Sequence, residues 1–252
     1  MTSFFAMTKA TKGMIKTLKI TSEDRYLSYL PIAHGMERWA GECVPLYSGE
    51  QVFYAESLKT FADDLNRAKP TLFVSVPRLW TKFQAGVFQK LPEEKLSTLL
   101  SIPLVNILVR RKIISALGLD FCRFAASGSA PIPPELIEWY RSLGLELLEG
   151  YGMTENFNYS HFSLPGRTRA GYVGEVYSDA EQRIAEDGEI QMKTPGMMMG
   201  YFKNEKATKE TITADGWVRT GDKGEIDEEG RLKITGRTKV SRHDVRVMRT
   251  TL

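Results

Sequence analysis

Tyr151, Thr154 and Glu155 fall within five positions of one short stretch, "EGYGMTEN" (residues 149–156), with Gly150 and Gly152 on either side of the tyrosine. An aromatic face beside an unshielded backbone edge suits a purine, which can stack and hydrogen-bond at once. The Thr154 hydroxyl can donate to a phosphate oxygen, and Glu155 is a hard oxygen ligand of the kind Mg²⁺ takes. A second loop, "ASGSAPIPPE" (residues 126–135), has little side-chain bulk at Gly128 and Ala130, so its backbone can approach a flat ligand closely. Further on, "GWVRTGD" ends in Asp222, a carboxylate able to accept both hydrogens of a ribose diol. "GRLKITGRTK" supplies Arg237, with its fixed donor fork, and Lys239. Taken singly, each motif has a plain alternative: a glycine turn before a Thr-Glu helix cap, a turn aspartate, a solvated strand end.

The elements that must hold these loops follow from the hydrophobic pattern. "RYLSYLP", "QVFYA", "TLFVSV", "FCRFAAS" and "LELLEG" are predicted strands. "HGMERWAGECVPLYS", "SLKTFADDLNRAK", "PRLWTKFQAGVFQKL" and "PPELIEWYRSLG" have helical spacing, with Pro77 and Pro133 near helix starts and Gly144 at a stop. This alternation predicts an α/β fold with a mostly parallel sheet covered by helices over residues 1–165, whose ligands gather at the carboxyl ends of the strands. After Pro165 the runs shorten and turn residues multiply, which predicts a β-rich subdomain over residues 166–238, with a hairpin turn at Gly230. Residues 239–252 hold Lys239 and a short Arg/Thr-rich tail.

The bulk composition narrows the class. At 252 residues the chain is long enough for one large domain or two small ones, and its net charge of +3 is too small to point to nucleic acid. Cys43 and Cys122 stand far apart in no metal-type spacing, so buried, reduced thiols in a cytoplasmic protein are expected. The most apolar stretch, "LSTLLSIPLVNILV" (residues 96–109), is interrupted by Pro103 and followed by Arg110, Arg111 and Lys112. It is too short to span a bilayer. It reads as a buried helix or part of an apolar ligand tunnel, ahead of a segment lying peripherally on a membrane surface. "TPGMMMGY" (residues 194–201) invites the same tunnel reading, against simple core packing.

The four motifs, in this order, resemble those of the adenylate-forming superfamily of acyl-CoA synthetases, luciferases and peptide-synthetase adenylation domains. "YLPIAHGMER" also resembles the segment lining the carboxylate site, with His34 in place. The resemblance runs from about Tyr26 to Lys239 and is strongest to long-chain fatty-acid–CoA ligases. It implies that Gly128, Ser129, Ala130 and Pro131 border an adenine on which Tyr151 stacks beside Gly152. It further implies that Thr154 bonds the α-phosphate, Glu155 holds Mg²⁺, Asp222 and Arg237 grip the ribose, and Lys239 is a hinge. His34, a strand–helix junction residue, is equally well read as a structural cap. The implied reaction joins a fatty acid to coenzyme A through an acyl-adenylate, consuming ATP and releasing AMP and pyrophosphate.

Two family parts have no counterpart here. No Ser/Thr/Gly-rich phosphate loop precedes "YLPIAHGMER", and Lys12-Gly13 echoes only its ending. Beyond Lys239 the thirteen residues 240–252 do not resemble the small lid domain that carries the family's catalytic lysine. The expectation is a core fragment, inactive or nearly so and poorly soluble by itself. A non-catalytic nucleotide-binding remnant, or adenylation of a non-fatty carboxylic acid, are the competing readings. Oligomeric state is left open.

Overall fold

The computed structural model of the chain describes residues 1–238, so Lys239 and the tail lie outside the described residues. The five predicted strands are present as β1 (Arg25–Ser28), β2 (Gln51–Tyr54), β3 (Leu72–Ser75), β4 (Phe124–Ser127) and β5 (Leu147–Tyr151). All four of their pairings are parallel, in the order β2-β1-β3-β4-β5. Two very short strands, β6 (His161–Phe162) and β7 (Glu175–Val176), extend the sheet antiparallel beyond β5. Thus β7, although past residue 165, is bonded into the first sheet.

Side chains alternate across this sheet and are buried on both faces, as parallel sheets require. Tyr26, Leu72, Phe124, Ala126 and Leu148 face one layer, and Leu27, Phe73, Ala125 and Leu147 face the other. The first layer begins with α1 (Phe4–Leu18), a helix in a region where no element is predicted. Its signal is present in hindsight: Ala6, Ala10, Met14 and Leu18 recur every four residues and are buried, and the Ser3 hydroxyl caps the Ala6 amide at 3.1 Å. The interleaved lysines hide that stripe. The layer continues through α2 (Gly35–Glu37), a π-helical turn (Arg38–Cys43) and α3 (Val44–Ser48).

The opposite layer holds α4 (Phe61–Ala68), α5 (Pro77–Lys90) and, further along, α8 (Pro134–Ser142), packed around fully buried Trp80 and Tyr140. Between α5 and α8 the chain makes a hairpin of α6 (Glu93–Ser101) and α7 (Val105–Ala116), joined to the body by a small cluster around Leu96, Ile113 and Leu143. This corrects the expectation of a buried helix or tunnel for residues 96–109. Of that stretch only Leu96 is fully buried; Leu100 and Val109 pack partly buried against the cluster, while Ile102, Leu104, Ile107 and Leu108, around the turn at Pro103, are exposed.

The second sheet is antiparallel, in the order β11-β10-β9-β8, from β8 (Glu181–Ile184), β9 (Glu189–Lys193), β10 (Val218–Ile226) and β11 (Leu232–Arg237). The β10–β11 turn holds Gly230 at φ +81°, as predicted from "DEEGRL". A helix, α9 (Glu205–Thr211), capped by the Asn204 side chain, precedes β10. Backbone bonds between Val173 and Leu232 (2.9 Å) and between Leu232 and Gly174 (2.9 Å) tie the two sheets together. Cys43 is buried, Cys122 is partly buried, and both are free thiols.

Candidate adenylate site

In a sheet ordered β2-β1-β3-β4-β5 the chain leaves β1 in one direction and β3 in the other, which opens a crevice at the carboxyl ends of these strands. A cavity lined by residues of β3, β4 and β5 lies there. Gly128 and Ser129, after β4, form part of its wall, with Gly150, Tyr151 and Gly152 at the end of β5. Two loops that are 22 residues apart at their glycines, Gly128 and Gly150, therefore meet because β4 and β5 are direct neighbours. Ser129 takes φ +67°, a left-handed conformation unusual for serine, and this sharp turn lets the chain leave the strand beside the cavity. Gly152 is there because nothing larger fits: a Cβ at this position would lie 2.6 Å from the Asn158 Cα. Ala130 and Pro131 are exposed next to this wall and do not line the cavity.

Tyr151 is fixed by its polar tip. Its hydroxyl donates to Asp222 Oδ2 at 2.6 Å, and Asp222 Oδ1 lies 3.1 Å from Arg237 Nε. Asp222 and Arg237 are register partners on β10 and β11, so the hairpin itself brings them side by side. Burial, and then the Asp222 carboxylate, push the Tyr151 hydroxyl well above the ordinary tyrosine range, which keeps it a donor. A carboxylate offers about four lone-pair positions. Asp222 therefore retains acceptor capacity for a diol while holding the tyrosine and the arginine.

Thr154 and Glu155 sit on a single 3₁₀ turn, Thr154–Asn156. The buried Asn156 side chain caps the Met153 amide at 3.1 Å and sets the turn's direction. Glu155 is held at both ends, its Oε1 accepting from the Tyr201 hydroxyl and its carbonyl from the Met198 amide, each at 2.7 Å. Thr154 is exposed. Its hydroxyl is close to Gly35, where an added Cβ would lie 3.8 Å away, so the His34 turn abuts the Thr154 loop. His34 is exposed and caps α2, its Nδ1 accepting from the Met36 amide at 3.3 Å. Among the described residues no cluster of three or more His, Cys, Asp and Glu could hold a metal ion. Glu155 is a lone carboxylate, a donor set that fits Mg²⁺ only when phosphate oxygens and water complete the shell.

Residues assigned no role in the sequence complete the cavity. Trp39, on the π-helical turn, lines it together with Met14, Met36, Asn158 and the buried His161. The ring of His161 is bracketed by Ser160 Oγ at Nδ1 (2.9 Å) and Gln182 Oε1 at Nε2 (2.6 Å). An amide oxygen only accepts, so Nε2 carries the proton. Burial lowers the imidazole to about 4, leaving it neutral near pH 7. The methionines of "TPGMMMGY" are not in this wall: Met198 is buried elsewhere and Met199 is exposed, which corrects the tunnel reading of that stretch. Lys12 and Gly13 lie inside α1, whose amides are engaged in the helix, so they form no phosphate loop. Gly13 is needed for packing, since a Cβ there would run into the Tyr159 hydroxyl.

Known proteins can be set beside this geometry. Residues 1–202 match the AMP-binding enzyme family, and the chain belongs to that family. The match takes in α1, which the motifs from Tyr26 onward do not reach. The chain is 35% identical over 261 residues to the peroxisomal long-chain acyl-CoA synthetase 6 of Arabidopsis thaliana, covering 90% of this chain and 37% of that protein. It is 34% identical over 241 residues to the long-chain-fatty-acid–CoA ligase FadD15 of Mycobacterium bovis, covering 86% of this chain and 40% of the relative. Among solved structures, a malonyl-CoA ligase with methylmalonyl-CoA and AMP bound superposes with a TM-score of 0.73 at 27% identity, over 94% of this chain and 49% of that one. The chain thus spans about two-fifths of the length of these curated relatives.

Proposed function

We propose that this chain carries the nucleotide-holding wall of an ATP-dependent acid–CoA ligase whose acid is a long-chain fatty acid. The observation that carries the reading is the Tyr151–Asp222–Arg237 chain: an aromatic ring in the cavity wall, beside Gly128 and Gly150, whose hydroxyl is tied to a diol acceptor and a fixed cation on the second sheet. In this reading the adenine stacks on Tyr151 and its edge meets the backbone after Gly128. Asp222 takes the ribose hydroxyls. Thr154 donates to the α-phosphate, and Glu155 would hold Mg²⁺, which would supply positive charge beside the phosphates. In this reading His34, exposed on the turn that abuts the Thr154 loop, meets the carboxylate of the acid. Long-chain ligases among the relatives favour a fatty acid, although the malonyl-CoA ligase shares the fold. A cytoplasmic setting, peripheral to a membrane in which such an acid dissolves, fits this reading, and the free thiols Cys43 and Cys122 support it.

A second reading is nucleotide binding by this chain without turnover; among the described residues Lys12 and Gly13 lie in a helix whose amides are engaged, so they supply no phosphate loop. Two measurements separate the readings. Calorimetric titration of the chain with AMP and with a non-hydrolysable fatty acyl-adenylate should give binding that Asp222→Ala weakens about tenfold or more, since it removes a charge-assisted acceptor. Absence of binding, or indifference to that substitution, sinks both readings. Pyrophosphate release with ATP, Mg²⁺ and either palmitate or malonate then tests turnover and the acid.

A further inference from the structure

The α6–α7 hairpin is unused by the nucleotide chemistry, yet its tip turns several apolar side chains outward. Leu104 is 76% exposed, Leu108 68% and Ile107 48%, and Ile102 and Pro103 beside them are exposed as well. Positions 107, 108 and 111 share one face of α7, which passes from isoleucine and leucine to Arg111 within about one turn, and exposed Leu104 stands at the helix start. Arg110 and Lys112 flank it. Among the described residues none of these three cations enters an ion pair. On the hairpin itself the carboxylates Glu93 and Glu94 start α6, about 12 Å along the helix from the tip.

We propose that this tip docks on an anionic lipid surface, with Leu104, Ile107 and Leu108 at the headgroup–acyl boundary and Arg110, Arg111 and Lys112 against lipid phosphates. Apolar insertion joined to a short basic cluster is how a surface segment holds a bilayer without crossing it. No helix among the described residues is long and apolar enough to cross a membrane. A second copy of the tip is a poor occupant, because pairing two tips opposes cation to cation. The hairpin packs on the α5 and α8 layer, whereas the cavity opens on the layer of Met36 and Trp39, so docking leaves the cavity uncovered. The proposal adds to the fatty-acid reading but is measured without nucleotide, so either can fail alone.

The test is co-sedimentation of the full 252-residue chain with vesicles of phosphatidylcholine alone and of phosphatidylcholine mixed with phosphatidylglycerol. The chain is expected to bind the mixed vesicles, and salt is expected to weaken the binding. Arg111→Glu with Lys112→Glu should reduce it by about tenfold or more, and Leu104→Ser with Leu108→Ser comparably. All four positions are exposed, and circular dichroism checks that the fold is kept. Phe4→Ser with Phe5→Ser, on a separate exposed apolar patch, should leave binding unchanged. The proposal is overturned if the chain ignores the mixed vesicles, binds neutral ones equally well, or loses binding as much through Phe4 and Phe5 as through the tip. It is also overturned if the tip variants change only self-association.

Discussion

At the scale of single residues, the site depends on positions where one atom more is too many. Gly152 is the sharpest: its neighbour is backbone, the Asn158 Cα, and backbone cannot swing aside as a side chain does. Gly152→Ala should therefore shift the turn that carries Thr154 and Glu155 and cost about 1–3 kcal/mol of stability. A thermal melt of the variant reads this directly, and an unchanged midpoint would show that the loop yields. The glycines beside Tyr151 were legible in the sequence because close backbone approach restricts residue type so strongly. Trp39 and His161 were not, because their place in the wall follows from a π-helical turn and a two-residue strand. Neither element is long enough to leave a period in the sequence.

At the scale of elements, β5 carries a buried charge problem next to the site. Glu149 is buried, accepts from the Gly171 amide at 3.3 Å, and is raised by burial from its ordinary value near 4.5 to about 7. Between those two pH values the folded chain holds a proton that the unfolded chain has released. Its contribution is thus intact below about pH 4.5 and is lost as pH rises through 7. Glu149→Gln keeps the neutral form at every pH. Relative to the parent it should be near neutral at pH 4.5 and stabilising at pH 8, by up to about 3 kcal/mol. Urea unfolding at the two pH values checks the sign, and a larger gain at the acid end would refute it. The parallel strands themselves were readable as apolar runs separated by helical spacing. The α6–α7 tip misled that reading, since an apolar run records composition and not the direction in which a turn aims it.

At the scale of the whole molecule, the first sheet ends at β2 among the described residues, with an edge that presents Phe53 and Tyr54 to solvent. Such an edge templates association with other chains. The chain alone should self-associate as its concentration rises. Tyr54→Lys, which places a charge on the edge, should move that onset to higher concentration in light-scattering measurements. A chain that stays monomeric throughout would show that the edge is protected by other means.

The Tyr151 to Asp222 bond joins residues from two different sheets, the tyrosine at the end of β5 and the aspartate on β10. A nucleoside seated there would touch both at once, its base on one sheet and its sugar on the other. The ligand would then act as a rivet across the seam, and occupancy of the cavity would become a measure of how firmly the two halves of the protein are held in register.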